Sequence, residues 1–527
     1  MPPVRLISVL EEERKFEVPP QFAVPDLAPC VPDGGRVLAR PAATLRATYY
    51  DTPDRRLARA GLSLRFRRGE LSTEGQPKPW TVKLPTGTTG VRKEVSRAGP
   101  ADTVPAELAD LLCVYHRGAP LQPAAAMRTV RRAYELRDAG DRVLAEIADD
   151  TVSVLDGRRV SMTFREIEVE RRAGPPELLD QVEAALVEAG AQAGDFTPKH
   201  VRAMGPQARQ PADLQPPQRL PRDATAGDVV TAALRRDITR IFEHDPWVRL
   251  RELLPDGDTP VHQMRVGCRR LRSDLRTFAK LLQPEWADGL RDELKWLGEA
   301  LGAARDAEVL RGRLRRTAGA DPLAPVADEA VERIDADLVA RQDNALRALD
   351  AALASDRYRE LVEALLDAAR APRLAPKADE PALDVLPGLV RKPWRRLVKG
   401  RRGEPGAGSL EPDSTDADWH AVRIRGKRAR YAADAVASFL SRTGDGRAKE
   451  LASKLADVQE LLGERQDAAV AAETWLQIAD SDPEDHALAV TAGRLYERER
   501  ETIRDMRAKF PDAWRAAKRK RLTEWLS

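Results

Sequence analysis

Residues 11 to 15 read EEERK, and the positions two apart in that run are Glu11, Glu13 and Lys15. In an extended strand, residues two apart share a face, so two carboxylates and an ammonium would stand side by side. The same face-sharing returns in Arg65 and Arg67, in Arg92 and Glu94, in Glu146 and Asp150 four residues on, and in Glu166, Glu168 and Glu170. Several of these stretches are apolar on the opposite face, with Leu62, Leu64 and Phe66 in one and Ile167 and Val169 in another. One such strand alone reads as an open sheet with its charges in water. Five or more, with both signs on the charged faces, read as the lining of a barrel. Paired carboxylates suit Mg²⁺ or Mn²⁺, hard cations that take oxygen ligands, and lysine and arginine suit phosphate oxygens. A lumen holding both has the composition that phosphoryl transfer requires.

A second constellation lies downstream. HQMRVGCRRLR (262–272) repeats as HAVRIRGKRAR (420–430), and LGEALGAARDAEVL (297–310) as VQELLGERQDAAVA (458–471). The order of the parts is kept, which marks an internal duplication. On a helix His262, Arg265, Arg269, Arg272 and Arg276 fall on one face, beside an apolar stripe of Met264, Cys268, Leu271, Leu275 and Phe278. The second copy sets His420, Arg423, Lys427 and Arg430 beside Val422, Ala429, Ala433 and Val436; Arg270 and Arg428 align between the copies. A single basic face is ordinarily solvated. A duplicated one whose i+4 neighbours are mostly further cations repels itself and is comfortable against an anion, for which the guanidinium fork suits phosphate. Asp306 and Asp467, which also align, read as groups that orient or neutralise an arginine. Gln466 stands in the second copy where the first has Arg305.

Two kinds of element must position these residues. Up to about residue 204, short stretches of period two alternate with Gly, Pro and Asp turns, and the stretch 175–190 has a helical pattern, predicting an antiparallel sheet or barrel. Residues 205–223 are rich in Pro and Gln and read as an extended linker. From 224 the period becomes 3.6, predicting an all-helical bundle in two repeats, about 224–370 and 416–518, separated by a Pro/Gly-rich basic loop around 371–415. The fold class expected is therefore α+β in two domains.

The 527 residues suffice for this. The 87 basic and 84 acidic residues leave +3, so clustering rather than net charge must identify a polyanionic partner. Aromatic residues make up 5% of the chain, too few for a base-stacking platform, and the stripe lacks Asn/Gln base readers, so nucleic acid is disfavoured as a partner. Cys30, Cys113 and Cys268 have neither metal nor disulfide spacing. No apolar run approaches a membrane span, and LISVL is too short for a signal peptide, so a soluble cytoplasmic protein is expected.

In motif order, residues 1–204 resemble the CYTH family, the triphosphate tunnel metalloenzymes. Glu11, Glu13 and Lys15 match its Glu-x-Glu-x-Lys signature, and YYDTPDRRLARAGLSLRFRR (49–68) its Tyr-Asp-Thr segment and Arg-x-Arg strand. Lys83, Arg92 and Glu94, Arg131 (preferred to Arg128 and Arg132), Glu146 and Asp150, the EIEVE strand and Lys199 continue the pattern. The resemblance implies an eight-stranded antiparallel tunnel. It also implies that Lys15, Arg65, Arg67, Lys83, Arg92, Arg131 and Lys199 hold a triphosphate chain. Glu11, Glu13, Glu146, Asp150, Glu168 and Glu170 then hold one or two Mg²⁺ or Mn²⁺ ions. A water at the metal or oriented by a carboxylate attacks the terminal phosphorus, with Glu11, Glu13 and Lys15 at the reacting centre. Residues 224–518 resemble a CHAD domain, on their two His-x-x-Arg helices and two LG-x-x-x-D segments. That resemblance implies a basic channel binding inorganic polyphosphate through His262, Arg265, Arg269, Arg270, Arg272, Arg276, His420, Arg423, Lys427, Arg428 and Arg430. The function expected is metal-dependent hydrolysis of inorganic triphosphate or a related triphosphate, with polyphosphate, or polyphosphate granules, bound by the helical domain. The alternative is a polyphosphate binder without catalysis.

Overall fold

The computed structural model describes residues 6–68, 80–194 and 196–526. The first five residues of the expected barrel domain lie outside the described residues. The chain divides into two compact units that meet between Asp213 and Leu214.

The N-terminal unit is a closed ring of eight antiparallel strands: β1 (Ile7–Glu17), β2 (Ala43–Asp51), β3 (Ser63–Arg68), β4 (Trp80–Pro85), β5 (Val91–Arg97), β6 (Gln122–Arg137), β7 (Val143–Asp156) and β8 (Arg159–Arg171). Around the ring they run β1-β5-β4-β3-β2-β6-β7-β8, and β8 pairs back to β1 to close it. Short strands Arg36–Ala39 and Gln192–Ala193 add to β6 and β1.

Closure turns the usual β pattern inside out. Small barrels are filled by side chains, and here the filling is charged, while the apolar faces look outward and are covered. Helix α1 (Pro176–Glu188), which the short helix α2 (Lys199–Met204) follows in the chain, buries Leu178, Leu179, Val182 and Leu186 against Phe16, Leu136, Leu144, Ile147, Ile167 and Val169. On the far side, Trp80 is fully buried against the rings of Tyr50 and Phe66. The expected linker begins late: Arg59 bonds the Pro211 carbonyl and Asp213, and Arg117 bonds Asp213, so these charge-assisted bonds hold 205–213 on the barrel.

The C-terminal unit is helical. Its first repeat comprises α3 (Ala226–Leu250), α4 (Pro260–Thr277), α5 (Pro284–Ala318) and α6 (Asp328–Ala354), followed by α7 (Asp356–Arg370). The second comprises α8 (Ala382–Lys399), α9 (Asp416–Arg442), α10 (Arg447–Asp480) and α11 (His486–Ala517). The expected loop over 371–415 is thus corrected: its middle, Ala382–Lys399, is α8, the opening helix of the second repeat, despite Pro387 and Pro393 within it. Each proline removes one donor, but burial of Val385, Leu386, Val390 and Leu397 on a single face outweighs that loss. The pseudo-twofold relation is visible where the repeats start. The Ala226 N–H donates to the Glu380 carbonyl at 2.9 Å, and the Ala382 N–H to the Ala224 carbonyl at 3.1 Å. The apolar stripe of α4 is buried as expected, and the three cysteines are free and buried. Among the described residues no helix is long and apolar enough to cross a membrane.

Candidate functional site

β1 alternates as its sequence dictates. Glu12 and Arg14 turn outward, Glu12 to Arg171 at 2.6 Å and Arg14 to Asp180 and Glu183 of α1 at 2.6 Å each. Glu11, Glu13 and Lys15 turn inward. The β1–β8 register sets Glu13 opposite Glu170 and Lys15 opposite Glu168, while β4 and β5 bring Lys83 and Glu94 face to face. The lumen is a lattice of opposite charges. Lys83 lies 2.5 Å from Glu11, 3.6 Å from Glu13 and 3.9 Å from Glu94, and Lys15 lies 3.2 Å from Glu13 and 2.9 Å from Glu168. Arg65 is 3.7 Å from Glu94, and Arg131 grips Asp150 with two bonds of 2.8 and 2.7 Å. Arg128 and Arg132 face solvent, which leaves Arg131 as the β6 arginine of the lumen.

A cavity of about 470 Å³ opens among these groups, lined by Glu13, Lys15, Tyr49, Arg65, Lys83, Arg92, Glu168, Lys199 and His200. Lys199 and His200 come from a short helix, Lys199–Met204, whose start enters the lumen. Burial opposes ionisation of Glu13 and Glu168, yet Lys83 and Lys15 hold Glu13 below the usual carboxylate range, and Lys15, Lys199 and Arg131 hold Glu168 well below it. Burial likewise opposes the charge on Lys15 and Lys199, but neighbouring carboxylates raise both ammonium groups above their usual range. Burial and the nearby Lys15 push His200 down to about 3, so its ring is neutral; it stacks on Tyr49 at 5.5 Å between centroids.

The donor set fits a divalent cation. Asp150, Glu166 and Glu168 each bring a carboxylate oxygen within 4.8 Å of the others, and Lys199 Nζ sits among them at 3.0–3.1 Å. Farther along, burial and the repulsion of Glu11 push Glu170 up to about 8, with Glu146 and Arg172 beside it. Carboxylates crowded to the point of holding a proton are a set that a divalent cation relieves. Of the six acids expected for metal, Asp150 and Glu168 meet with Glu166, Glu146 and Glu170 gather near Glu11, and Glu13 stands between Lys15 and Lys83. Glu166 is on the charged face visible in the sequence, but its part in the trio is not. Nor is that of Asp51, which is fully buried and accepts N–H bonds from Thr52, Leu57 and Ala58 at 2.7–2.9 Å, fixing the turn before β3.

In the helical unit α4 packs on α9. Their stripes meet at a cavity of about 230 Å³ lined by Arg269, Arg272, Arg276, Arg291, Arg423, Lys427, Arg428 and Tyr431. Burial, then Arg423, Arg269 and Arg265, push Lys427 down to about 7. The aligned acids behave as neutralisers. Asp306 lies 3.7 Å from Arg265, and Asp467, which burial pushes up, faces Arg423. Arg270 and Arg430 turn toward Asp434, at 3.7 and 3.9 Å. The two histidines stand apart from the centre at the helix starts. His262 lies near Arg305 and Asp258, and His420 Nδ1 lies 3.0 Å from Gln466 Oε1.

Known proteins give the same division. The CYTH domain model matches residues 10–203 and the CHAD domain model residues 232–477. A Mycobacterium tuberculosis H37Rv protein described as uncharacterized protein Rv2226 is 32% identical, with 96% of each chain covered, as is MT2285 of strain CDC 1551. Among solved structures, PptA from Streptomyces chartreusis is 25% identical with a TM-score of 0.45, covering 55% of this chain and all of its own. The CHAD domain of the plant Ricinus communis is 26% identical with a TM-score of 0.43, covering 57% of this chain and 96% of its own.

Proposed function

Because the chain belongs to the family that joins a CYTH domain to a CHAD domain, we propose that it hydrolyses inorganic triphosphate, or a related triphosphate, in the tunnel while the helical unit holds inorganic polyphosphate. CYTH members include triphosphatases and cyclases and depend on a metal. The observation that carries hydrolysis is the interleaving of Glu13 with Lys15 and Lys83 on the wall of one cavity, with Glu11 paired to Lys83 behind it. A site built only to grip a polyanion gains nothing from carboxylates aimed at it.

In this reading Lys15, Arg65, Arg67, Lys83, Arg92, Arg131 and Lys199 take the phosphate oxygens. Each lysine exchanges a carboxylate partner for a phosphate partner as the chain enters. Glu11, Glu13, Asp150, Glu166 and Glu168, with Glu146 and Glu170 beside them, would hold Mg²⁺ or Mn²⁺, which supplies charge neutralisation on the phosphate chain. The carboxylates of β1 orient a water in line with the terminal phosphorus. The cations, already fixed by the barrel, stabilise the charge that develops on the transferring oxygens without reorganising. In the helical unit the stripe of α4 and α9 grips phosphates of a longer chain and keeps polymer on the protein.

The deciding assay is phosphate release from tripolyphosphate with Mg²⁺ and with Mn²⁺. Glu13→Gln is expected to abolish release while circular dichroism and melting stay those of the parent. No release from the parent with either ion, or undiminished release from the variant, would remove the assignment.

A further inference from the structure

Beside the stripe lies a second basic cavity, of about 260 Å³. Arg276, Lys392, Arg396, Arg401, Arg425 and Arg428 line it together with Leu389 and Pro393, and among the described residues no carboxylate lines it. Ser273, Arg276 and Arg428 also line the central cavity of the stripe, so the two spaces adjoin. Arg276 and Arg428 are held below the usual guanidinium range, first by burial and then by cationic neighbours. These are Arg428, Arg291, Arg272 and Arg396 around the one, and Arg401, Arg396 and Arg425 around the other.

The wall is built, not draped. Gly400 has φ +75°, and the turn after it is closed by Arg401 and Glu404 exchanging backbone bonds of 3.2 and 2.9 Å. At Gly406 a Cβ would stand 2.1 Å from the Val398 carbonyl oxygen, so the backbone there passes where only glycine fits. Arg425 is buried, bonded to Glu404 and the Pro405 carbonyl, with its Nε unpartnered. Like charges fixed in a wall of this kind call for an anion.

We propose that this cavity is a second segment of the anion path, so that a polyphosphate chain lying on the stripe turns at Arg276 and Arg428 and continues over Arg396 and Arg401. The proposal rests on the reading that the helical unit holds inorganic polyphosphate. Its consequence is selection by length. From Arg269, at the centre, to Arg276 the stripe runs about 10 Å along α4, and only a chain that covers that distance and continues past it fills the second cavity. A three-phosphate ion is satisfied by the centre alone, at Arg269 and Lys427.

The test is displacement of a fluorescent long-chain polyphosphate from the full chain, followed by anisotropy, with unlabelled long chain, tripolyphosphate and ADP as competitors. In the Arg396→Gln/Arg401→Gln double variant, long-chain affinity is expected to fall roughly tenfold. The slope of log affinity against log salt should shrink by about one to two, with the inhibition constant of tripolyphosphate unchanged. Lys427→Gln weakens both ligands and serves as the control for the centre. Equal loss for long and short chains, or no loss, overturns the proposal. So does ADP displacement that depends on Arg396 and Arg401 with long-chain affinity intact, which would assign the cavity to an organic phosphate. A parent protein that binds no long chain at all would instead remove the underlying reading.

Discussion

Lys427 offers a quantitative test of the stripe as an anion site. Its ammonium sits at about pKa 7 because it is buried among Arg423, Arg269 and Arg265, with Asp467 the acid that faces it. A lysine whose folded pKa is depressed is charged only below that value. Between about 7 and its ordinary 10.5 the folded protein holds it neutral, whereas the unfolded chain would charge it. A polyanion binds the charged form, so bound protein takes up a proton whenever the free protein has lost one. If the lysine stays charged in the complex, the apparent Kd scales with the inverse of the protonated fraction. It then rises about tenfold from pH 6 to pH 8 and about a hundredfold to pH 9. The assay is long-chain polyphosphate binding at constant ionic strength across that range, with proton uptake read by calorimetry in buffers of different ionisation enthalpy. Lys427→Arg keeps a charge at all these pH values and should flatten the profile. Titration of His262 at the start of α4, and of the terminal phosphate of the ligand, acts equally on parent and variant, so the difference between the two curves isolates Lys427. Parallel curves would refute the argument, because the lysine would then either lie off the anion path or already carry its charge.

Two further perturbations probe the framework. Asp51→Ala leaves three buried N–H donors, those of Thr52, Leu57 and Ala58, without their acceptor. A loss of about 3 kcal/mol or more in the urea unfolding of the barrel is expected, and Asp51→Asn should fall between parent and Ala. Arg313→Met removes the partner of the fully buried Glu499, bonded at 2.7 Å, and of Glu464 at 2.9 Å. A stranded buried carboxylate of this kind costs about 3–5 kcal/mol, and adding Glu499→Leu should recover much of it. An unshifted melt for Arg313→Met alone would refute that account.

The lumen was legible because its signal is local. In a strand the direction of a side chain alternates by backbone geometry, so Glu11, Glu13 and Lys15 had to share a face, and mixed signs on several such faces made an open sheet the poorer reading. The helix 382–399 was not legible for an equally local reason. Pro387 and Pro393 read as breakers, and only the apolar face that they interrupt, buried against the bundle, overrides them. The duplicated histidines mark the repeat correctly in the sequence, but packing leaves them at the ends of the stripe rather than at its centre.

By itself, then, the sequence determined which side chains face the lumen, that the helical half is duplicated, and that its basic residues form rows, because strand and helix periodicity fix side-chain direction within each element. Tertiary structure decided which of those residues meet. That Asp150, Glu166 and Glu168 close around Lys199 follows from the order and register of β6, β7 and β8 and from a helix entering the lumen. That Arg276 and Arg428 adjoin Arg396 and Arg401 follows from how α4, α8 and α9 pack. Distances between elements are set by the ring that the strands close and by the contacts of apolar faces, and no spacing along the chain encodes them.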